Sequence, residues 1–206
     1  RLSYGADAFW NTEWYRNQPD GMVYAGKVAY AYKGVPEDNT KLTFKDGTVS
    51  ICESAFYGDE EEGKGILEKI QSINFPSSLL NFDAPSMSES WLEEQDNGIV
   101  YVSNVAYSFK GSIPKEIIFP DGTLGINKEF MGRYFDDNPE KANLESVVIP
   151  ADVQYIGKWA FGNCEKLTSV TIENPDCVIN DTFPICYQSM EDPFTYADDG
   201  EDGQVG

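Results

Sequence analysis

Residues 145–175 read ESVVIPADVQYIGKWAFGNCEKLTSVTIENP, and their apolar positions follow neither a helical nor a strand period for long. They fall in short clusters, and LESVVI at 144–149 returns 23 residues later as LTSVTI at 167–172. Leu144, Val147, Ile149 and Pro150 make L-x-x-V-x-I-P; Val153, Ile156, Gly157, Ala160, Phe161 and Cys164 follow; Leu167, Val170 and Ile172 restart the pattern. In a strand, Val170 and Ile172 share one face and Thr171 points the other way. A strand this short cannot bury its apolar face alone. Stacked copies bury a continuous ladder in which each copy contacts only its neighbours. The ladder residues Val147, Ile149, Val170 and Ile172 are therefore expected in the core. The proline after the strand suits its end, because proline cannot donate to a ladder.

Degenerate copies lie upstream. Ile70, Ile73, Phe75 and Pro76 lead to Leu79, Phe82 and Met87, and Leu42 and Phe44 lead to Ile51, Ala55 and Phe56. Ile117, Phe119 and Pro120 lead to Ile126, Phe130 and Met131, and YGADAF at 4–9 reads as the end of a truncated first copy. A longer repeat overlies these: WYRNQPDGMVYAGKVAYAYKG at 14–34 matches WLEEQDNGIVYVSNVAYSFKG at 91–111, an offset of 77 residues. Each copy holds two alternating strands separated by two residues, Gly26-Lys27 or Ser103-Asn104, which is hairpin spacing. Glycine first in that pair suits a type II′ turn.

Composition narrows the function. With 15 Lys and Arg against 35 Asp and Glu, the formal charge is −20, so phosphate backbones and anionic lipid are repelled. Nucleic-acid binding and membrane insertion are not expected, and no apolar run approaches the roughly 20 residues that span a bilayer. The absence of histidine removes Ser-His and Cys-His nucleophile pairs and most zinc sites. No carboxylate pair recurs in a motif, so no catalytic residue and no cofactor is expected. The chain begins at Arg1 rather than Met, which fits a mature or trimmed form.

A period of 20–29 residues with this spacing is a leucine-rich-repeat signature. The string P-x-x-V-x-x-I-G-x-x-A-F-x-x-C-x-x-L-x-x-V-x-I at 150–172 resembles the BspA-like (Treponema-type) leucine-rich repeats of bacterial surface proteins. The resemblance covers most of 1–187, and is loose at 112–143. It implies an α/β horseshoe-type solenoid, mainly β, with a parallel concave sheet, short turns and helical pieces on the convex side, and two β-hairpin insertions near 14–34 and 91–111. It also implies a cell-surface or secreted location, and non-catalytic recognition or adhesion through an extracellular host or bacterial protein or glycan. One domain is expected over 1–190, with an acidic, disordered tail at 191–206.

The residues between ladder positions are candidates for the binding face: Thr43, Gln71, Asn74, Glu116, Ile118, Glu145, Val148, Thr168, Ser169 and Thr171. The alternatives are a carbohydrate-binding module acting through an aromatic platform of Trp14, Tyr15 and Trp91, and a structural spacer without a ligand. Acidic runs at 59–62 and 136–137, and Asp198, Gly200, Asp202 and Gly203, only faintly suggest a calcium loop, whose closing Glu is absent, so no metal site is assigned. Cys164 is expected as a buried thiol. Cys177 and Cys186 would close a C-terminal cap if they were bonded; two reduced, packed cysteines are the alternative. Intact mass before and after reduction, with alkylation, distinguishes these two states.

Overall fold

The computed structural model describes residues 8–56, 65–82, 87, 89–132, 141 and 143–180. The 77-residue duplication appears as two similar halves. The first runs through α1 (Glu13–Arg16), β1 (Gly21–Ala25), β2 (Val28–Lys33), β3 (Thr40–Thr43), β4 (Ser50–Ile51), β5 (Ile70–Asn74) and β6 (Asn81–Phe82). The second runs through α2 (Glu89–Glu93), β7 (Gly98–Val102), β8 (Val105–Lys110), β9 (Glu116–Ile118), β10 (Gly125–Ile126), β11 (Ser146–Ile149), β12 (Tyr155–Ile156), β13 (Ser169–Ile172) and β14 (Val178–Ile179).

Several residues shared by the two hairpin motifs have the same local role in both copies. Lys33 Nζ donates to the carbonyls of Arg16, at 2.8 Å, and Gln18, closing the end of α1. Lys110 does the same for Glu93 and Gln95 after α2. A cation there also suits the negative end of a helix. Gln18 and Gln95 each donate back to the carbonyl of the motif tryptophan, Trp14 or Trp91, at 2.9 Å. Gly21 and Gly98 sit at φ +111° and +114°, where a side chain is strained. The hairpin turns take positive φ at their first central residue, +63° at Gly26 and +54° at Ser103. Lys27 and Asn104 are not among the positive-φ residues, which is the type II′ pattern.

Each repeat contributes one longer strand and one two-residue strand, and the two kinds build separate parallel ladders. The longer strands pair as β3–β5 and as β9–β11–β13; the short ones stack beside one hairpin strand, as β2–β4–β6 and β8–β10–β12–β14. The hairpins β1–β2 and β7–β8 are antiparallel, so two of the four sheets are mixed. The longer-strand ladders are parallel, as expected of the concave sheet, but they form two sheets instead of one. The second hairpin lies between Phe82 and Glu116 in the chain, and the ladders restart after it. The side opposite the longer strands is also more regular than the expected turns and helical pieces: it carries the short-strand ladder, with 3-10 turns at Glu53–Phe56 and Leu67–Lys69.

The joint between the halves explains the restart. Turn 76–82 lies against the face of β8–β10 instead of adding a strand beside it. A Cβ on Gly125 would stand 1.8 Å from the carbonyl oxygen of Leu80, so only glycine lets that backbone in. Asn127, 4% exposed, accepts from Phe82 N at 3.2 Å and satisfies a backbone donor that no strand reaches.

Two large cores flank this joint. The C-terminal core gathers Ile117, Phe119, Ile126, Phe130, Leu144, Val147, Ile149 and Ile156, among others. The other holds Leu42, Ile51, Leu79, Phe82, Val102 and Val105 from both halves. Val147 and Ile149 are fully buried, as the ladder requires, and Ile172 is half-buried. Val170 departs from expectation at 54% exposed. It pairs with Val147, but β13 is the last strand of its sheet among the described residues, so nothing described covers its far side. Ile149→Ala should therefore cost about 2–5 kcal/mol in urea unfolding, and Val170→Ala about 1 kcal/mol or less. Gly125→Ala should cost about 1–3 kcal/mol by forcing the joint apart.

Candidate functional site

The strand pleat sorts β9, β11 and β13 into two faces. Ile117, Val147 and Val170 align in register on the inner face. On the outer face Glu116, Ser146 and Ser169 form one row, and Ile118, Val148 and Thr171 the next. Ile118 is 61% exposed and Val148 is half-buried, so an apolar strip crosses an otherwise polar sheet. Glu145 and Thr168 lie at the strand entries, where Thr168 N and Ser169 N both donate to Glu145 O.

A polar cluster edges this strip. Lys115 Nζ donates to Glu145 Oε1 at 2.7 Å, and Ser146 Oγ donates to Glu116 Oε1 at 3.2 Å. The hydrogen bond, then the charge, of each partner holds the Glu145 carboxyl below its ordinary range and the Lys115 ammonium above its own. The pair thus exists at neutral pH. It is lost as pH falls through the depressed carboxyl value, or rises through the elevated ammonium value. Both side chains are exposed, so the pair orients side chains more than it stabilises the fold.

Seven of the ten expected residues come together here: Glu116, Ile118, Glu145, Val148, Thr168, Ser169 and Thr171. The other three lie on the separate sheet β3–β5, where Thr43 pairs with Asn74. Gln71 falls at the register shift between Thr40 and Lys41, where no partner residue opposes it. All three are exposed, but strand pairing does not join them to the larger patch.

The aromatic trio does not form one platform. Tyr15 is 4% exposed and packs in a satellite core with Val23, Tyr30 and Ala31, so it is a structural residue. Trp91 is half-buried, set edge-on to Tyr107 with ring centroids 6.0 Å apart. Trp14 alone of the three is open, at 40% exposed, beside Phe9 at 5.1 Å. Cys177 is half-buried, packed on the C-terminal core and unbonded among the described residues. Cys186 lies outside the described residues, as do the acidic runs at 59–62 and 136–137, the sequence 198–203 and the tail 191–206.

One organising motif escaped the repeat pattern. FKDGT at 44–48 and FPDGT at 119–123 form the same turn, with glycine φ at +81° and +85°. Thr48 Oγ and Thr123 Oγ each donate back three residues, at 2.7 and 2.8 Å, and both threonines are 2% exposed. The hairpin tyrosines anchor on these turns: Tyr24 OH accepts from Lys45 N at 3.0 Å, and Tyr101 OH meets Thr123 Oγ at 2.8 Å. The recurring D-G-T was visible in the sequence and is the signal that finds it.

Residues 135–187 match the family described as BspA type leucine rich repeat region (6 copies). No curated protein and no solved structure matches the chain. Among the described residues, no group of His, Cys, Asp and Glu gathers to hold a metal ion. Burial pushes the Cys164 thiol above its ordinary value, against a smaller opposing pull from Lys141. Cys164 should therefore resist alkylation in the folded protein at mildly alkaline pH and react fully in guanidinium. Peptide mass mapping of both states checks this.

Proposed function

Since the chain carries BspA-type leucine-rich repeats, we propose that it is a non-catalytic recognition or adhesion module of a bacterial surface or secreted protein. Its ligand is an extracellular protein, bound on the outer face of β9–β11–β13. Repeats of this class generally mediate protein binding. The observation that carries the reading is the outward row Ile118–Val148–Thr171, with Ile118 61% exposed and Val148 half-buried, beside an outward row of Glu116, Ser146 and Ser169. An accessible apolar strip with a polar rim matches the anatomy of a protein contact, where one buried anchor dominates the energy.

The charge supports a selective partner. At −20, the chain favours a basic or neutral protein surface and disfavours nucleic acid. No helix among the described residues is long and apolar enough to cross a membrane. Sheet β3–β5, with Thr43, Gln71 and Asn74, is a secondary contact area in this reading.

The test immobilises the protein and measures binding to proteins retained from host mucosal extract. Ile118→Arg and Thr171→Arg should each weaken binding at least tenfold, about 1.4 kcal/mol, with thermal unfolding unchanged. Thr43→Arg should have the smaller effect. Binding that survives both outer-face changes but is lost in Trp14→Ala on a glycan array would instead favour the carbohydrate module.

A further inference from the structure

The internal duplication lets one half serve as a template for the other. In the second copy the outer face of hairpin β7–β8 is covered by turn 76–82. Ser103 Oγ donates to Pro76 O, and Asn104 Nδ2 to Ser77 O, both at 3.0 Å. The Phe82 ring stacks on Tyr107, 5.4 Å apart and 10° from parallel. Under this cover Val102 and Val105 are 5% and 0% exposed.

In the first copy no described turn lies over the same face: Tyr30, 2% exposed, is covered by Phe9 and Trp14, while the positions of Val102 and Val105 are left half-buried. Ala25, Val28 and Tyr30 stand 77 positions before Val102, Val105 and Tyr107. Cys52 matches Asn127: the first donates its N–H to Ala29 O, the second to Ala106 O. Together with Phe9 and Trp14, these residues line an open, mainly apolar groove of about 710 Å³. Phe9 and Trp14 are 44% and 40% exposed at its rim.

The far end of the chain offers the complementary surface. Turn 174–179 is the counterpart of turn 76–82: Val178 N donates to Gln154 O as Leu80 N donates to Val49 O. In the first half the next element packs over that turn. In the second half no described element follows, and Val170, Val178 and Ile179 are 54%, 58% and 59% exposed. The charges also match. Exposed Lys27 replaces Asn104 at the hairpin tip, and Glu173 and Asp176 flank the turn.

We propose that these two ends bind each other between molecules. The C-terminal edge of one copy, through Val178 and Ile179, seats in the β1–β2 groove of a second copy. This repeats between chains the contact that turn 76–82 makes with hairpin β7–β8 within one. Ser50 occupies the place of Gly125, so the incoming turn sits further out than turn 76–82 does. The contact joins two different surfaces, so it grows head to tail. The charge of −20 opposes association at long range, so added salt strengthens it by screening.

Sedimentation equilibrium of the 206-residue chain tests this. The average mass should rise with concentration past a dimer, and more steeply at high salt. Val28→Asp blocks the groove and Val178→Asp blocks the edge, and each should weaken self-association at least tenfold. Each variant keeps one good end, so a mixture of the two should form a one-to-one pair that grows no further. Circular dichroism checks that Val28→Asp folds, and Trp14→Ser, at the exposed rim, serves as the second groove variant. A chain that stays monomeric to millimolar concentration, a closed symmetric dimer, or variants that fail to pair on mixing overturns the proposal. So does a monomer that associates only after residues 1–7 are removed, since the groove would then be filled by the chain's own N-terminus.

Discussion

Everything in this chain depends on aliphatic side chains stacking along a parallel ladder at strand spacing. Val147 has Ile117 on one side and Val170 on the other, and is fully buried only because both neighbours are present. No repeat holds enough apolar surface to offset the entropy of ordering itself. The fold is therefore a set of nearest-neighbour contacts. A residue's burial reports its place in the stack as much as its type, and the contrast between Val147 and Val170 shows this within one rung.

The second constraint is the insertion of a hairpin at the head of each half. A hairpin strand adds to the short-strand ladder on one edge and closes off the other with its antiparallel partner. The longer-strand ladder cannot run through it, so the halves meet face to edge at Gly125 and Asn127. That joint supports a protein built of two short ladders, each with its own outer face. It also explains why the candidate binding residues divide into a patch of seven and a patch of three.

Much of this was legible beforehand. The buried ladder residues and the two hairpins follow from period-two alternation, and the first turn from Gly26 at a positive-φ position, whereas Ser103-Asn104 is a weaker turn signal. The outward direction of Glu116, Ile118 and Thr171 follows from the same alternation. What failed to show was long-range. Val170 looks identical to Val147 in the sequence, and its position on the last described strand of its sheet exposes it. Tyr15 sits beside Trp14 in the chain, yet a helical turn sends it into a core of Val23 and Tyr30. The split of the ladder depends on where turn 76–82 comes to rest, and the only local hint is Gly125, whose missing side chain admits the Leu80 carbonyl.

Amide hydrogen exchange read by NMR tests neighbour stacking most directly. Gly157 N donates to Ile126 O at 2.8 Å inside the short-strand ladder, and Asn180 N donates to Ile156 O at 2.8 Å on its last described rung. The bonds are equally short, so geometry alone gives no reason for different rates. Stacking predicts that Gly157 exchanges orders of magnitude more slowly than Asn180, with intermediate protection at Gln154 and Val178. Equal protection at both amides, or faster exchange at Gly157, would contradict a ladder held by its neighbours.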